Sequence, residues 1–482
     1  MTTMDWLVIL PVLVLSGWAL TVLLVDLWIP AKYKFITPLL TVLGLVVTLG
    51  LSLSKFGNPQ SAFGGMVVVD GFAVFLDFIF LVSGLGAVAL AYRYLRRMEI
   101  ERCEYYALLM FAISGMMLMT YANDLVVVFL ALELLSIPLY VLAGFVRMDL
   151  LSEEAALKYF LLGAFSSGFV LYGIGLIFGA TAHTQLPAVA AAVSGGASVN
   201  LPMFIVGAAL LLVGFGFKQA AVPFHMWSPD VYQGAPSSVT AFMSIGAKAA
   251  GFAALMRVFV AAFPSLSADM SWVLWALAAL TMIVGNVIAI AQTNIKRLLA
   301  YSSIAQTGYL LMAFVPYGDH QVLSDTIAAM LFYLLAYMLT TLGAWAVIIA
   351  VEKAGGEGLE LKDYAGLGRK HPLLGAAMTI FMVSLVGVPP TLGFWGKFYL
   401  FRTAVEGGYT GLALIGLLTS LVSAYYYLRV VVIMYMQPGE PETADDLWLR
   451  LVALTCAAAV VLLAFVPWSV LSLVLKAALQ IL

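Results

Sequence analysis

Fourteen runs of about twenty mostly apolar residues follow one another along this chain, joined mainly by short polar connections. A run of that length is what an α-helix needs to cross the hydrocarbon core of a bilayer. Inside lipid, every backbone N–H and C=O must find its partner within the segment itself. The runs occupy residues 4–29, 35–54, 71–95, 105–121, 124–145, 155–181, 201–232, 237–263, 271–292, 298–316, 326–351, 373–404, 410–436 and 449–479. Of the 482 residues, 63% are hydrophobic and 10% are charged, where ordinary soluble domains have about 25% charged residues. Such a chain cannot cover a water-soluble globule with a charged surface, and it is neither disordered nor a coiled coil. Its 23 Lys and Arg against 25 Asp and Glu leave no basic excess for nucleic acid. The expected fold is an all-α polytopic membrane protein, with the lipid bilayer as its surroundings. The longest polar stretch, residues 352–372, is too short for a soluble domain. The first run has Asp5 where a signal peptide has a basic leader, and it is too long for a signal core. It is expected to stay as an ordinary first helix.

Two cysteines, Cys103 and Cys456, are too few to hold an iron–sulfur cluster or a thiolate zinc site alone. Four scattered histidines make no paired haem-ligand pattern. The chain is therefore expected to carry no metal or redox cofactor of its own.

The basic residues set an orientation. Counted through alternate connections, one side holds fifteen, from Lys32 and Lys34 through Arg147, Lys296 and Arg297 to Arg429 and Arg450. The other side holds four: Lys55, Arg257, Arg402 and Lys476. Under the positive-inside rule the richer side is cytoplasmic, so both termini are expected on the outer side.

Four lysines remain, and they lie within the spans: Lys158, Lys218, Lys248 and Lys397. A charge at the bilayer centre costs about 2.5–3.5 kcal/mol on insertion scales, so an intramembrane ionisable group points to function. Glu133 belongs with them. Glu133 and Lys248 are too deep in their spans to reach the headgroups, whereas Lys158 stands near a helix end and can equally be read as snorkelling. Polar neighbours share faces with these charges at helical spacing: Glu133, Ser136 and Tyr140 in the fifth span, and Ser237, Thr240, Ser244 and Lys248 in the eighth. Ser302, Gln306 and Tyr309 form a third stripe in the tenth span. Lone hydroxyls in membrane helices usually join helices together, but three such stripes point to a hydrated file through the protein.

Two spans are overlong and interrupted. Residues 201–232 contain Pro223 and Pro229, and residues 373–404 contain Gly387, Pro389, Pro390, Gly393 and Gly396. Proline removes a backbone donor and clashes with the preceding turn, so each span is expected to be two half-helices joined by unwound backbone. Such a break is tolerated at membrane depth only where it lines a cavity or is packed in protein. Lys218 precedes the first break and Lys397 follows the second. Spans 4–8 and 9–13 each hold their broken member fourth. Five helices is an odd number, so a second copy would be inverted in the membrane, as in many transporters. The expected division is an N-terminal segment 1–104, repeats 105–263 and 264–436, and a C-terminal helix within 437–482.

The motifs PFHMWSPDVYQGAP at residues 223–236, LELLSIPLYVLAG at 132–144 and LGFWGKFYLF at 392–401 resemble the N-subunit family of bacterial respiratory complex I, the proton-pumping NADH:quinone oxidoreductase. The resemblance covers nearly the whole chain, including fourteen helices and both breaks. It implies an antiporter-like subunit that translocates protons across the inner membrane, driven by NADH oxidation and quinone reduction elsewhere in the complex. It implies that Glu133 pairs with Lys218, that Lys248 is central, that Lys397 leads toward the outer side, and that Lys158 is an additional member. It further implies neighbouring antiporter-like subunits of the membrane arm as partners. NADH, FMN, iron–sulfur clusters and quinone would be bound by other subunits and not by this chain. A buried lysine can release its proton where an arginine cannot, which gives a lysine relay its chemical sense.

Three other readings compete. A subunit of a multisubunit sodium/proton antiporter shares the fold, but the N-type motifs argue against it. A stand-alone solute transporter would show acids or aromatics shaped for a substrate. A passive scaffold would have no reason to keep buried lysines. Asp77 in the third span reads more readily as an interhelical hydrogen-bonding group than as a proton carrier. His225, beside the first break, can be a relay or a group at the headgroup level.

Overall fold

The protein is described here by a computed structural model covering residues 3–195 and 199–480. The extreme ends, which the basic-residue count assigns to the outer side, lie outside these residues. Helices follow one another with little else between them. The first part of the chain forms α1 (Thr3–Val8), α2 (Leu10–Asp26), α3 (Ile36–Leu53) and α4 (Gly71–Arg97). Between α3 and α4 sits a small antiparallel hairpin, β1 (Gln60–Ala62) and β2 (Val67–Val69). Next come α5 (Cys103–Tyr121), α6 (Leu125–Ala143), α7 (Leu150–Thr181), a short α8 (Leu186–Ser194), α9 (Leu201–Gln219), α10 (Trp227–Gly234) and α11 (Ser237–Ala262). The second run is α12 (Ser267–Ile290), α13 (Ile295–Phe314), α14 (Leu323–Val351), α15 (Leu367–Lys370), α16 (Pro372–Val386), α17 (Leu392–Glu406) and α18 (Thr410–Met436). The chain closes with α19 (Leu447–Leu462) and α20 (Pro467–Ala478).

Among the described residues, eleven helices are long and apolar enough to cross a membrane. Of the other three expected spans, the tenth is one unbroken helix of 20 residues, α13, which is not among those eleven, and the first and twelfth are built from shorter pieces. α2, α16 and α20 are apolar but brief, and the first and last runs are each split, beside Pro11 and before Pro467. The hairpin and α8 do not stand out in the sequence: α8 is apolar but only 9 residues long, and each strand has 3, all well short of a span.

Side-chain caps set many of the helix starts. Asp70, Asp124 and Asp149 accept from backbone N–H groups in the first turns of α4, α6 and α7, and Asn294 does so for α13. Both overlong spans are broken where proline and glycine predict. α9 stops at Gln219, with Ala220 left-handed at φ 58°, and α10 resumes at Trp227. α16 stops at Val386, with Gly387 left-handed at φ 90°. α17 then restarts behind a Thr391 cap, which accepts from the Phe394 N–H at 3.4 Å.

α11 and α14 are almost wholly enclosed, whereas α7, α3, α18 and α19 face outward along much of their length. Lys248 therefore belongs to a helix at the centre of the protein. Two residues that the basic-residue count placed in connections are buried instead. Arg257 is 4% exposed and Lys296 is 2% exposed. Arg257 is tolerated there because it grips both oxygens of Asp70, at 2.7 and 2.9 Å, tying α11 to the cap of α4. Lys296 donates to the Ala235 carbonyl at 2.7 Å.

α5 and α6 touch backbone to backbone at Gly115, where a Cβ would lie 2.3 Å from Leu135 N and 2.7 Å from Leu134 C. No side chain can swing away to make room, so Gly115→Ala forces the helix bearing Glu133 to shift. Overpacking of this kind costs about 1–3 kcal/mol. The expected result is less of this subunit stably assembled in membranes, read by quantitative immunoblotting. Wild-type amounts would show that the helices separate freely.

Candidate functional site

The centre of the site is Lys248 on α11. Its ammonium donates to the Ser303 carbonyl at 2.5 Å and to Thr307 Oγ1 at 2.6 Å, both on α13. Thr307 in turn donates to the Gln219 carbonyl at 2.8 Å. That carbonyl belongs to the last residue of α9, beside the first break and next to Lys218. Among the described residues no carboxylate lies within 4.0 Å of Lys248. The cation is held by neutral oxygens, which can hold the ammonium without neutralising it.

Lys218 sits in the last turn of α9, at the negative end of the helix dipole. It is buried, and it donates to Ser136 Oγ of α6 at 2.8 Å and to Tyr159 OH of α7 at 3.3 Å. The Tyr140 and Tyr159 rings flank it, with centroids 5.9 and 5.4 Å away. Gly251 of α11 also lies against it; a Cβ there would stand 3.5 Å from Lys218 Cγ. Glu133 lies one turn before Ser136 on α6, and its buried Oε1 has no hydrogen-bond partner. The implied Glu133–Lys218 pair is not closed to ion-pair distance in this structure, since the serine one turn away takes the ammonium.

Lys397 on α17 reaches back across the second break. It donates to the Val386 carbonyl, the last of α16, at 3.0 Å, and to Ser420 Oγ of α18 at 2.9 Å. Its ammonium lies 4.5 Å from the Tyr309 ring centroid. The Lys397 stem passes so close to Gly387 that a Cβ there would meet Lys397 Cδ at 2.9 Å. The two breaks thus present the same feature: the final carbonyl of a half-helix faces a lysine or the hydroxyl that holds one.

α13 connects these points. Gln306 donates to Tyr427 OH at 3.1 Å and to the Leu385 carbonyl at 3.4 Å, and it accepts from Tyr333 OH. Ser302 and Tyr427 share a hydrogen bond. Tyr309 receives Asn286 Nδ2 at 3.2 Å and donates to Thr419 at 3.4 Å. The stripe Ser302, Gln306 and Tyr309 is therefore fully engaged. Ser303 and Thr307 form a second stripe beside it, and it is this one that binds Lys248. Their spacing of four was a readable signal that sequence reasoning missed. Tyr333 and Tyr427 were not readable, because single tyrosines in apolar spans carry no pattern.

The remaining candidates separate from this axis. Lys158 is only half-buried and joins an ion cluster, at 2.6 Å from Glu154 and 2.5 Å from Asp230. Asp230 also holds Arg297, at 2.7 Å. The cluster clasps α7, α10 and the start of α13 at one end of the file. Asp230 stood in the first motif without being singled out. In the α11 stripe, Thr240 donates to the Tyr232 carbonyl at 3.1 Å and Ser244 to the Ala241 carbonyl at 2.8 Å. Asp77 acts as interhelical glue: its Oδ2 accepts from Ser52 of α3 at 2.6 Å and Tyr121 of α5 at 2.5 Å. His225 is buried in the first break with Nδ1 unpartnered.

Residues 122–423 match the family described as NADH:quinone oxidoreductase/Mrp antiporter, transmembrane region. NADH-quinone oxidoreductase subunit N of Trichlorobacter lovleyi is 50% identical over 440 residues, covering 91% of this chain and 89% of that one. The same subunit of Chloroflexus aggregans is 47% identical over 446 residues, covering 92% and 90%. In structure, the chain is similar to one in respiratory complex I from Thermus thermophilus with bound aureothin, with a TM-score of 0.82, 38% identity and coverage of 96% and 98%. A chain of the Mrp complex from a Dietzia species shares the fold, with a TM-score of 0.82 at 21% identity and coverage of 99% and 97%. On the subunit N relatives and the matched region together, the chain belongs to the family of NADH-quinone oxidoreductase subunit N, within the membrane family shared with Mrp antiporters.

Proposed function

We propose that this chain is an antiporter-like module of the membrane arm of NADH:quinone oxidoreductase, and that it moves protons along Lys218, Lys248 and Lys397. One observation carries the reading: three buried lysines are joined through α13 and the carbonyl ends of two broken helices. Each lysine is held by neutral oxygens, so each can pass between ammonium and amine without breaking an ion pair. Glu133 biases Lys218 from one turn away, which provides an electrostatic coupling between a conformational change and proton affinity. Lys158 acts at the edge, through the Asp230 cluster. The two five-helix runs are read as inverted copies about this axis, with both termini on the outer side of the bacterial inner membrane. NADH, FMN, iron–sulfur clusters and quinone belong to other subunits.

The partners are other membrane-arm subunits, including neighbouring antiporter-like chains. Broad apolar faces support this, with Phe165, Tyr172 and Leu421 exposed along α7 and α18, although lipid covers such faces too. An affinity-tagged chain is expected to bring down the other membrane-arm subunits together with quinone reductase activity. Robust proton transport by the chain purified alone would sink the assembly reading. Sodium-dependent transport by the purified complex would favour the antiporter alternative.

A further inference from the structure

On the side where the basic residues cluster, the connections converge on a cleft of about 430 Å³. Its lining includes Tyr94 of α4, Asp149 before α7, Lys296 of α13, and Glu352 and Glu360 after α14. Glu352 is 5% exposed, and it departs from an ordinary loop acid in its contacts. Its Oε1 accepts from Tyr94 OH at 3.3 Å, while its buried Oε2 has no partner. Lys296 turns instead to the Ala235 carbonyl at 2.7 Å, and Arg97 to the Ile349 carbonyl at 2.5 Å. Burial raises the proton affinity of this carboxyl above the usual range, against the smaller opposing pull of Lys296, Ser237, Arg97 and Tyr94.

The same Tyr94 hydroxyl accepts the backbone N–H of Ser237 at 3.1 Å, at the first residue of α11. Ser237 Oγ is buried and unpartnered. From there Thr240, Ser244 and Lys248 follow on one helical face. Beside Ser244 lies a void of about 10 Å³, bordered by Tyr232, Ser302 and Tyr337. That is close to the smallest space that holds one water among polar partners. Tyr232 lies 3.3 Å from Ser303 Oγ, and the carbonyl of Ser303 holds Lys248.

We infer that Glu352 is the intake group of this subunit, collecting protons from water in the cleft and delivering them along the α11 hydroxyls to Lys248. The inference rests on the relay role proposed for Lys248. In the step, a hydronium in the cleft gives its proton to the Glu352 carboxylate, and an O–H bond forms. Each water or hydroxyl on the file then accepts one proton and releases another. The last transfer forms an N–H bond on the neutral Lys248 amine, and Glu352 is a carboxylate again. One proton has moved inward and no electron has been transferred.

The test uses the assembled complex in membranes, with Glu352→Gln, Glu352→Asp and Lys248→Met measured for proton pumping across a range of pH. Glu352→Gln is expected to slow pumping about tenfold, less than the roughly hundredfold or more of an acid–base group in the reacting step itself, because cleft water still reaches the hydroxyl file, with the deficit deepening as pH rises and hydronium becomes scarce. Glu352→Asp should recover most of the rate with a shifted alkaline limb, which a purely structural carboxylate would not produce. Wild-type pumping by Glu352→Gln at every pH, with Lys248→Met inactive, overturns the intake role and leaves the lysine relay standing. Wild-type pumping by both variants overturns the relay and the intake together. Should Glu352→Gln fail to assemble, an unshifted pH profile in Glu352→Asp overturns the inference.

Discussion

Lys248→Arg is expected to leave the complex assembled and to abolish coupled proton pumping. Arginine keeps the positive charge but is effectively never deprotonated in a protein. The ammonium of Lys248 faces a carbonyl and a hydroxyl, and among the described residues no carboxylate pairs with it, so the site does not demand a permanent cation. A relay through this position therefore fails with arginine because it cannot release the proton, and with methionine because it cannot hold one. The expected loss is on the order of a hundredfold or more for each. A charge kept only for structure predicts that Arg works and Met does not. A packing role predicts that Met is nearly harmless. The same set at Lys397 should follow the same order, since it too is held by one backbone carbonyl and one side-chain hydroxyl, those of Val386 and Ser420. The measurement is proton pumping and quinone reduction in membranes, with the amount of complex determined separately. A fully active Lys248→Arg complex would end the idea that this lysine gives up its proton.

Removing the charge of Glu133 is expected to have the next largest effect. Glu133→Ala should lower pumping and the coupled electron transfer by about tenfold, the factor that goes with a tenfold change in the proton affinity of Lys218, while the complex still forms. Ser136 already holds Lys218 at 2.8 Å, so the ammonium keeps a partner when the carboxylate is gone. What is lost is the negative charge one turn away, whose field bears on Lys218 without direct contact. Glu133→Asp keeps that charge with a shorter reach and should be milder. Equal effects of Ala and Asp would argue that the site needs the shape of glutamate and not its charge. A normal rate in Glu133→Ala would remove this residue from the mechanism.

The buried lysines were legible in the sequence because lipid makes an isolated charge expensive wherever its partners lie. Lys218, Lys248 and Lys397 could be identified from their own segments alone, and so could the two breaks, since Pro223 and Pro389–Pro390 disrupt a helix locally. Lys158 had two readings, and neither included the cluster it joins, because Asp230 and Arg297 come from two other helices. Glu352 was hidden for the opposite reason. It stands at the start of the longest polar stretch, where a carboxylate looks solvated, and only the packing of several connections around it removes the water. Arg257 likewise reads in the sequence as a connection residue. Its burial depends on Asp70, 187 positions away in the chain.

The sequence by itself determined the class of the protein, most of the spans, the half-helices and which charges lie inside them, because hydropathy, proline chemistry and the cost of a charge in lipid act on each segment separately. Only the tertiary structure decided what holds each charge. Lys248 meets Thr307 across 59 positions, and Ser302 meets Tyr427 across 125. A hydrogen bond is made or lost over a few tenths of an ångström, a distance that the packing of whole helices sets and that no single segment encodes.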